Sequence, residues 1–171
     1  LKLHDPASLF QTGHTLISPI LIIPDSIIVE GPERLILGME DPVSLKIPQQ
    51  NIDGNFTETI PIEIPGGALI RRAPSAVEVS FQVDKLVEVT DSVMLELVNL
   101  PDKAWPYLQN KKMPITLAIP KSMLNFYNAD SVTAVVDLSD FTRGNKKVLP
   151  EVKGLPPFTE VIKLDSVFIK R

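Results

Sequence analysis

The sequence predicts an all-β protein made of two tandem small β modules, each with about one short helical turn. Three observations carry this. The chain holds 16 Val and 17 Ile against 8 Ala, and β-branched side chains lose little freedom on a pleated surface. Pro supplies 16 of the 171 residues, about twice the usual share. Pro spread so evenly forbids long helices and cuts the chain into short segments. Several short runs alternate apolar and polar residues between Pro or Gly borders, the period of antiparallel strands with one covered face.

Taken in order, the first element is the run Leu16 to Ile23, which contains Ser18 and Pro19 and stops at Pro24-Asp25. It is far shorter than the ~20 apolar residues of a membrane span, so it predicts a buried pair of strands. No basic segment or small-residue cleavage site precedes it. The chain opens at Leu1 rather than Met, and the expectation is a fragment or processed product with any membrane anchor upstream. Strands are then predicted at Ile27–Val29, Val43–Ile47, Thr59–Ile64, Val77–Val83, Val87–Val98 (broken near Thr90-Asp91), Ile115–Ile119, Val132–Leu138 and Val161–Ile169. Pro32–Leu37 and Pro120–Asn125 do not alternate and open with Pro, which favours the first position of a helix, so each predicts one helical turn.

These segments recur. Pro32 returns as Pro120 after 88 residues, and Val43–Ile47 as Val132–Val136 after 89. Ile60, Glu63 and Ile64 return as Val148, Glu151 and Val152 after 88, and Pro74–Val79 as Leu164–Ile169 after 90. The order and spacing predict two tandem copies joined near Asp84-Lys85, with module 1 at 1–84 and module 2 at 85–171.

The second copy carries Ala134-Val135-Val136-Asp137-Leu138-Ser139 followed by Gly144. The first copy carries Val29-Glu30-Gly31-Pro32 and Pro74-Ser75-Ala76-Val77-Glu78-Val79, and Val93–Pro101 ends in Asn99-Leu100-Pro101. Over roughly residues 15–171 the chain resembles the YbbR-like domain family. It departs from that pattern at Ile47-Pro48-Gln49-Gln50, at Ile119-Pro120 and within residues 1–14, where no opening strand is recognisable. The resemblance implies tandem modules behind one membrane helix, facing out of the cytoplasm. It also implies contact with a partner protein, a membrane diadenylate cyclase being one candidate. It implies no catalytic residue and no cofactor.

Composition narrows the chemistry. Lys+Arg number 17 against 21 Asp+Glu, for a net charge of −4. Nucleic-acid binding needs clustered cations or stacking platforms, and aromatic residues are only 6%, so no nucleic-acid partner is expected. There is no Cys, which excludes disulfides and thiolate sites, and two His cannot build a three-His zinc site. His4 and His14 are therefore read as structural. Asp137 and Asp140 bracket Ser139, but the expected role of Asp140 is to cap the turn before Gly144. Ser80 and Ser139 have no nucleophile elbow and no adjacent base. Gly66-Gly67 reads as a hairpin signal, not a phosphate loop. Arg71-Arg72 and Lys111-Lys112 read as solvated pairs. Trp105-Pro106-Tyr107 reads first as a plug for the open end of module 2, with a partner-contact site as the functional alternative.

The expectation is thus a non-enzymatic, extracytoplasmic interaction or regulatory module of the cell envelope, with no catalytic, cofactor or metal residue. A structural spacer or adhesin-like stalk is the alternative.

Overall fold

The structure, a computed structural model, describes residues 1–100, 111–139 and 146–169. The chain divides into two units, Leu1–Lys85 and Leu86–Arg171. Each has its own core, and strands are the main regular structure of each.

Unit 1 begins with β1 (Lys2–Leu3), a 3-10 turn at Pro6–Leu9, β2 (His14–Leu16), β3 (Leu21–Ile23) and β4 (Ile28–Glu30). It continues with α1 (Glu33–Ile36), β5 (Ser44–Leu45), β6 (Phe56–Pro61), a 3-10 turn at Gly67–Leu69, β7 (Arg71–Ala73) and β8 (Ala76–Phe81). β8 lies between β3 and β6, antiparallel to both, while β4 pairs with β7. β1 runs parallel to β5, with Leu3 opposite Leu45. That is the opening strand not recognisable in the sequence, and two residues are too short to show a period. β2 pairs with the first residues of β9 (Val83–Val98), His14 standing opposite Lys85.

Alternation makes the core of unit 1. Val77, Val79 and Phe81 of β8 point inward, and Val79 is fully buried. Phe81 stacks on its cross-strand partner Phe56 at 4.8 Å between centroids and meets Phe10 edge-on at 5.9 Å. Such ring pairs add roughly 0.5–1.5 kcal/mol beyond the area they bury. Leu45, Ile60 and Ile62 complete the centre. Glu58 shares the inward row of β6 yet is exposed, so the strand's apolar face is interrupted there.

Unit 2 takes the rest of β9, then β10 (Lys112–Pro120), 3-10 turns at Lys121–Phe126 and Ala129–Ser131, and β11 (Thr133–Asp137). β12 (Lys146–Val148), β13 (Glu151–Lys153), β14 (Glu160–Leu164) and β15 (Val167–Ile169) follow. Its main sheet has the order β13-β11-β9-β10-β14, and β12 pairs separately with β15. β9 and β10 share an unbroken antiparallel ladder from Lys112↔Met94 to Pro120↔Leu86. The core is aliphatic: Val93, Ile115, Leu117, Ile119, Val132, Ala134, Val136, Leu138 and Ile169. Full burial of one such side chain contributes about 1.5–3 kcal/mol.

The all-β class and the two Pro-opened turns are as the sequence predicts. Several details differ. β9 is one strand with no break near Thr90-Asp91. Thr90 is tied across the ladder to Thr116, Oγ1 to Oγ1 at 3.2 Å, and Tyr127 donates to the Asp91 carboxylate at 3.4 Å. β11 runs parallel to β9, so the sheets are not purely antiparallel. The run Leu16 to Ile23 forms β2's end and β3, but none of it is fully buried, and Leu21 and Ile23 face solvent. Three 3-10 turns, at Pro6–Leu9, Gly67–Leu69 and Ala129–Ser131, accompany the two turns expected after Pro32 and Pro120.

Candidate functional site

The best-defined polar constellation closes β11. Asp137 is its last residue, and the exposed Asp137 carboxylate accepts two hydrogen bonds on Oδ1. One comes from Asn99 Nδ2 at 2.9 Å and one from the Ser139 backbone N–H at 2.8 Å. Asn99 follows the end of β9 with φ of 55°, a left-handed conformation that Asn tolerates better than most residues. Two parallel strands thus have their ends tied through one carboxylate. The Asn99 amide, and after it the Ser139 backbone and side-chain groups, hold the carboxyl below the ordinary Asp value, with Lys153 adding a smaller attraction.

The other nominated residues are scattered. His4 is exposed, and its backbone N–H donates to the Leu45 carbonyl. His14 is half-buried in β2, its Nδ1 shielded from water without a hydrogen-bond partner. Among the described residues no three His, Asp or Glu side chains are grouped to hold a metal. Ser80 stands between Leu21 and Thr57 on the neighbouring strands, neither of which is a base. Ser139 serves Asp137. Asp140, Gly144 and the Trp105-Pro106-Tyr107 site lie outside the described residues.

Gly66-Gly67 corrects the hairpin expectation. The two glycines have φ of 121° and 56° and lead into the Gly67–Leu69 turn, while β6 pairs with β8 and β7 with β4. The turn therefore redirects the chain between two different pairings. Arg71 stands opposite Glu30, and Arg72, half-buried with its Nε shielded and unpartnered, stands opposite Val29. Lys111 and Lys112 are exposed, and the Lys111 carbonyl accepts from Leu95 N–H.

Two surface features escaped the sequence reading. An open, shallow concavity of ≈ 200 Å³ is lined by the loop before β6 and the first residues of that strand, with Asp53, Asn55 and Glu58 on its polar wall. Several large apolar side chains face solvent, among them Ile28 (68% exposed) in β4, Ile162 in β14, and Phe168 in β15, over whose ring Lys147 Nζ sits at 5.8 Å. The available signal was consecutive apolar residues, Ile27-Ile28 and Val161-Ile162. In a strand covered on one face, one of each pair must point outward.

No helix of the described residues is long and apolar enough to cross a membrane. No family model matches the chain, and no curated protein matches it. The chain is similar to a solved YbbR-like protein from Streptococcus pneumoniae, at 14% sequence identity and a TM-score of 0.44, with 98% of this chain and 88% of that one covered.

Proposed function

We propose that this chain is a non-catalytic, outward-facing interaction module of a membrane-anchored envelope protein, built from two copies of one β module. The two-copy part of the reading is carried by a shared strand register, and the envelope and interaction part rests on the family resemblance. In unit 1, Glu58, Thr59 and Ile60 stand opposite Val79, Glu78 and Val77. In unit 2, Lys146, Lys147 and Val148 stand opposite Ile169, Phe168 and Val167. The first set maps onto the second by shifts of 88 and 90 residues, the spacing of the sequence repeat. Val29↔Arg72 likewise answers to Leu117↔Val161, with shifts of 88 and 89. Gly66 and Gly154, 88 apart, both have positive φ.

The segment 134–139 supports the family resemblance, and its Asp137 is engaged in joining strand ends. Recognition of a protein partner, with a membrane diadenylate cyclase as the candidate, follows from that resemblance. The test is cyclic dinucleotide output from membranes holding the cyclase, with and without the intact protein, alongside in-cell crosslinking. A reproducible change in output together with a crosslink to the cyclase supports the reading. Unchanged output and no crosslink removes this partner, and a protein that captures no partner at all favours the spacer.

A further inference from the structure

Resting on the reading of an outward-facing envelope protein, we propose that Asn55 is an N-glycosylation site. The substrate class is a glycan carried on a polyprenyl pyrophosphate and handed over by an envelope glycosyltransferase.

The sequence isolates one tripeptide. Of the seven Asn residues, only Asn55 is followed by a residue other than Pro and then by Ser or Thr, as Asn55-Phe56-Thr57. That pattern marks an acceptor amide for glycan transfer in exported chains. Asp53, two residues before the acceptor, adds an exposed carboxylate for a cationic transferase surface to hold. The matching positions of unit 2, 88 residues on, are Arg143 and Asn145. The β module itself therefore does not call for the tripeptide.

The fold presents the reacting atom. Asn55 is exposed at the entry to β6, and its Oδ1 accepts from the Val83 backbone N–H at 3.4 Å. A backbone N–H can only donate, so the atom turned to Val83 is the oxygen, and Nδ2 is the other end of the planar amide. A Cβ built on the neighbouring Gly54 meets nothing within 4 Å, so the space beside the loop is open. The ≈ 200 Å³ concavity lies there, and Gln49, Asp53 and Glu58 on its lining offer hydrogen-bonding groups to the hydroxyls of a first sugar ring. Glycosylation keeps the amide oxygen, so the bond from Val83 survives the modification.

Transfer joins Asn55 Nδ2 to C1 of the sugar. The C1–O bond to the pyrophosphate breaks, and the lipid pyrophosphate leaves with the electron pair. The amide gives up one proton to a base of the transferase. Nothing is oxidised or reduced. Packing sets the order of events. Phe56 is 4% exposed and stacks on Phe81, and Thr57 Oγ1 donates to the Phe56 carbonyl at 2.8 Å. A transferase cannot lift the tripeptide out once β6 has paired with β8, so transfer precedes the closing of unit 1.

The test isolates the intact protein from the cells that make it and reads its mass and its peptides by mass spectrometry. One glycan is expected, on the peptide holding Asn55 and removable by an amide-cleaving glycosidase. Thr57→Val should abolish it. That variant leaves Asn55 in place and suits an exposed strand position, so its loss of glycan is not a loss of fold. Thr57→Ser restores a hydroxyl and should keep the glycan. A bare Asn55 in the unaltered protein, a glycan on another residue instead, or a glycan on Asn55 in Thr57→Val each overturns the proposal. A membrane-impermeant lysine reagent, applied to cells stripped of wall and outer membrane, separates this site from the reading beneath it. Labelled lysines with a bare Asn55 overturn the site alone and leave the outward-facing reading standing. Unlabelled lysines with a bare Asn55 overturn that reading and the site with it.

Discussion

The two units pair matching residues but make very different lengths of strand from them. Unit 2 runs β9 and β10 as a nine-pair ladder and adds β11, β13 and β14 to it. Unit 1 divides the corresponding material into short sheets of two and three strands. Proline accounts for part of the contrast. Lys153 completes the β11–β13 ladder opposite Thr133. Its counterpart is Pro65, which has no N–H to donate. Likewise Asp137, the last residue of β11, answers to Pro48, and the strand there shrinks to Ser44–Leu45. Unit 1 is held instead by side-chain packing, with the Phe10, Phe56 and Phe81 rings at its centre. Unit 2 has no aromatic residue among its fully buried side chains in the described residues. The comparison teaches that core positions can persist when strand length does not. The ladder and the packing are separate supports, and one can be reduced where the other is strong.

The largest effect should come from testing matched core positions. Leu117→Ala removes a fully buried side chain, and is expected to cost about 2–5 kcal/mol in urea unfolding. Val29→Ala, its half-exposed counterpart in unit 1, should cost roughly 1 kcal/mol. Equal losses would break the contrast in core cover.

Next come the paired glycines. A Cβ on Gly154 would collide with the Ser131 carbonyl oxygen, part of the rigid backbone. A Cβ on Gly66 meets Ile70 Cγ1 at 2.7 Å, an overlap with a side chain rather than with backbone. Both Gly→Ala changes incur backbone strain of about 1–3 kcal/mol, and Gly154→Ala should add about 1–3 kcal/mol more from overlap. Thermal unfolding of the two variants reads the difference directly; the reverse order would contradict the geometry at 154.

The smallest expected effect concerns the tie between Asn99 and Asp137. Asn99→Gly keeps the positive φ and removes the amide donor. Carbon-13 titration of the Asp137 carboxyl should show its pKa returning toward the ordinary Asp value. The sign for stability follows. A carboxyl depressed in the folded state stabilises the fold above its unfolded pKa, and that contribution is lost as pH falls through the folded value. The variant should therefore lose less of its stability on acidification. An unchanged carboxyl titration would mean that Asn99 does not hold Asp137.

Tyr127 offers a matching test at the alkaline end. Burial first, then the Asp91 carboxylate that the phenol hydrogen-bonds, raise its pKa above the ordinary tyrosine value. Stability should accordingly fall as pH rises from the unfolded phenol pKa to the folded one. Tyr127→Phe should abolish that part of the slope in alkaline urea melts.

Much of this was legible in the residues. β-branched composition and alternation specify strands because their side chains suit a pleated surface with one covered face. Pro32 and Pro120 announce their turns because a fixed φ suits a helix start. Other features left no local trace. The two-residue strand β1 is too short for a period and exists only because it meets β5 across the fold. Gly66-Gly67 has the composition of a hairpin turn, yet the strands on either side of it pair elsewhere, β6 with β8 and β7 with β4. The Asp137 tie was hidden because Asn99 is 38 residues away.

By itself, then, the sequence determined the β class, the punctuation between elements and the repeat spacing, all of which arise from backbone sterics and side-chain period within a few residues. Only the tertiary structure decided which strands pair and which run parallel. Those outcomes depend on hydrogen-bonding groups far apart in the chain meeting across a shared core, and no local pattern encodes the partner.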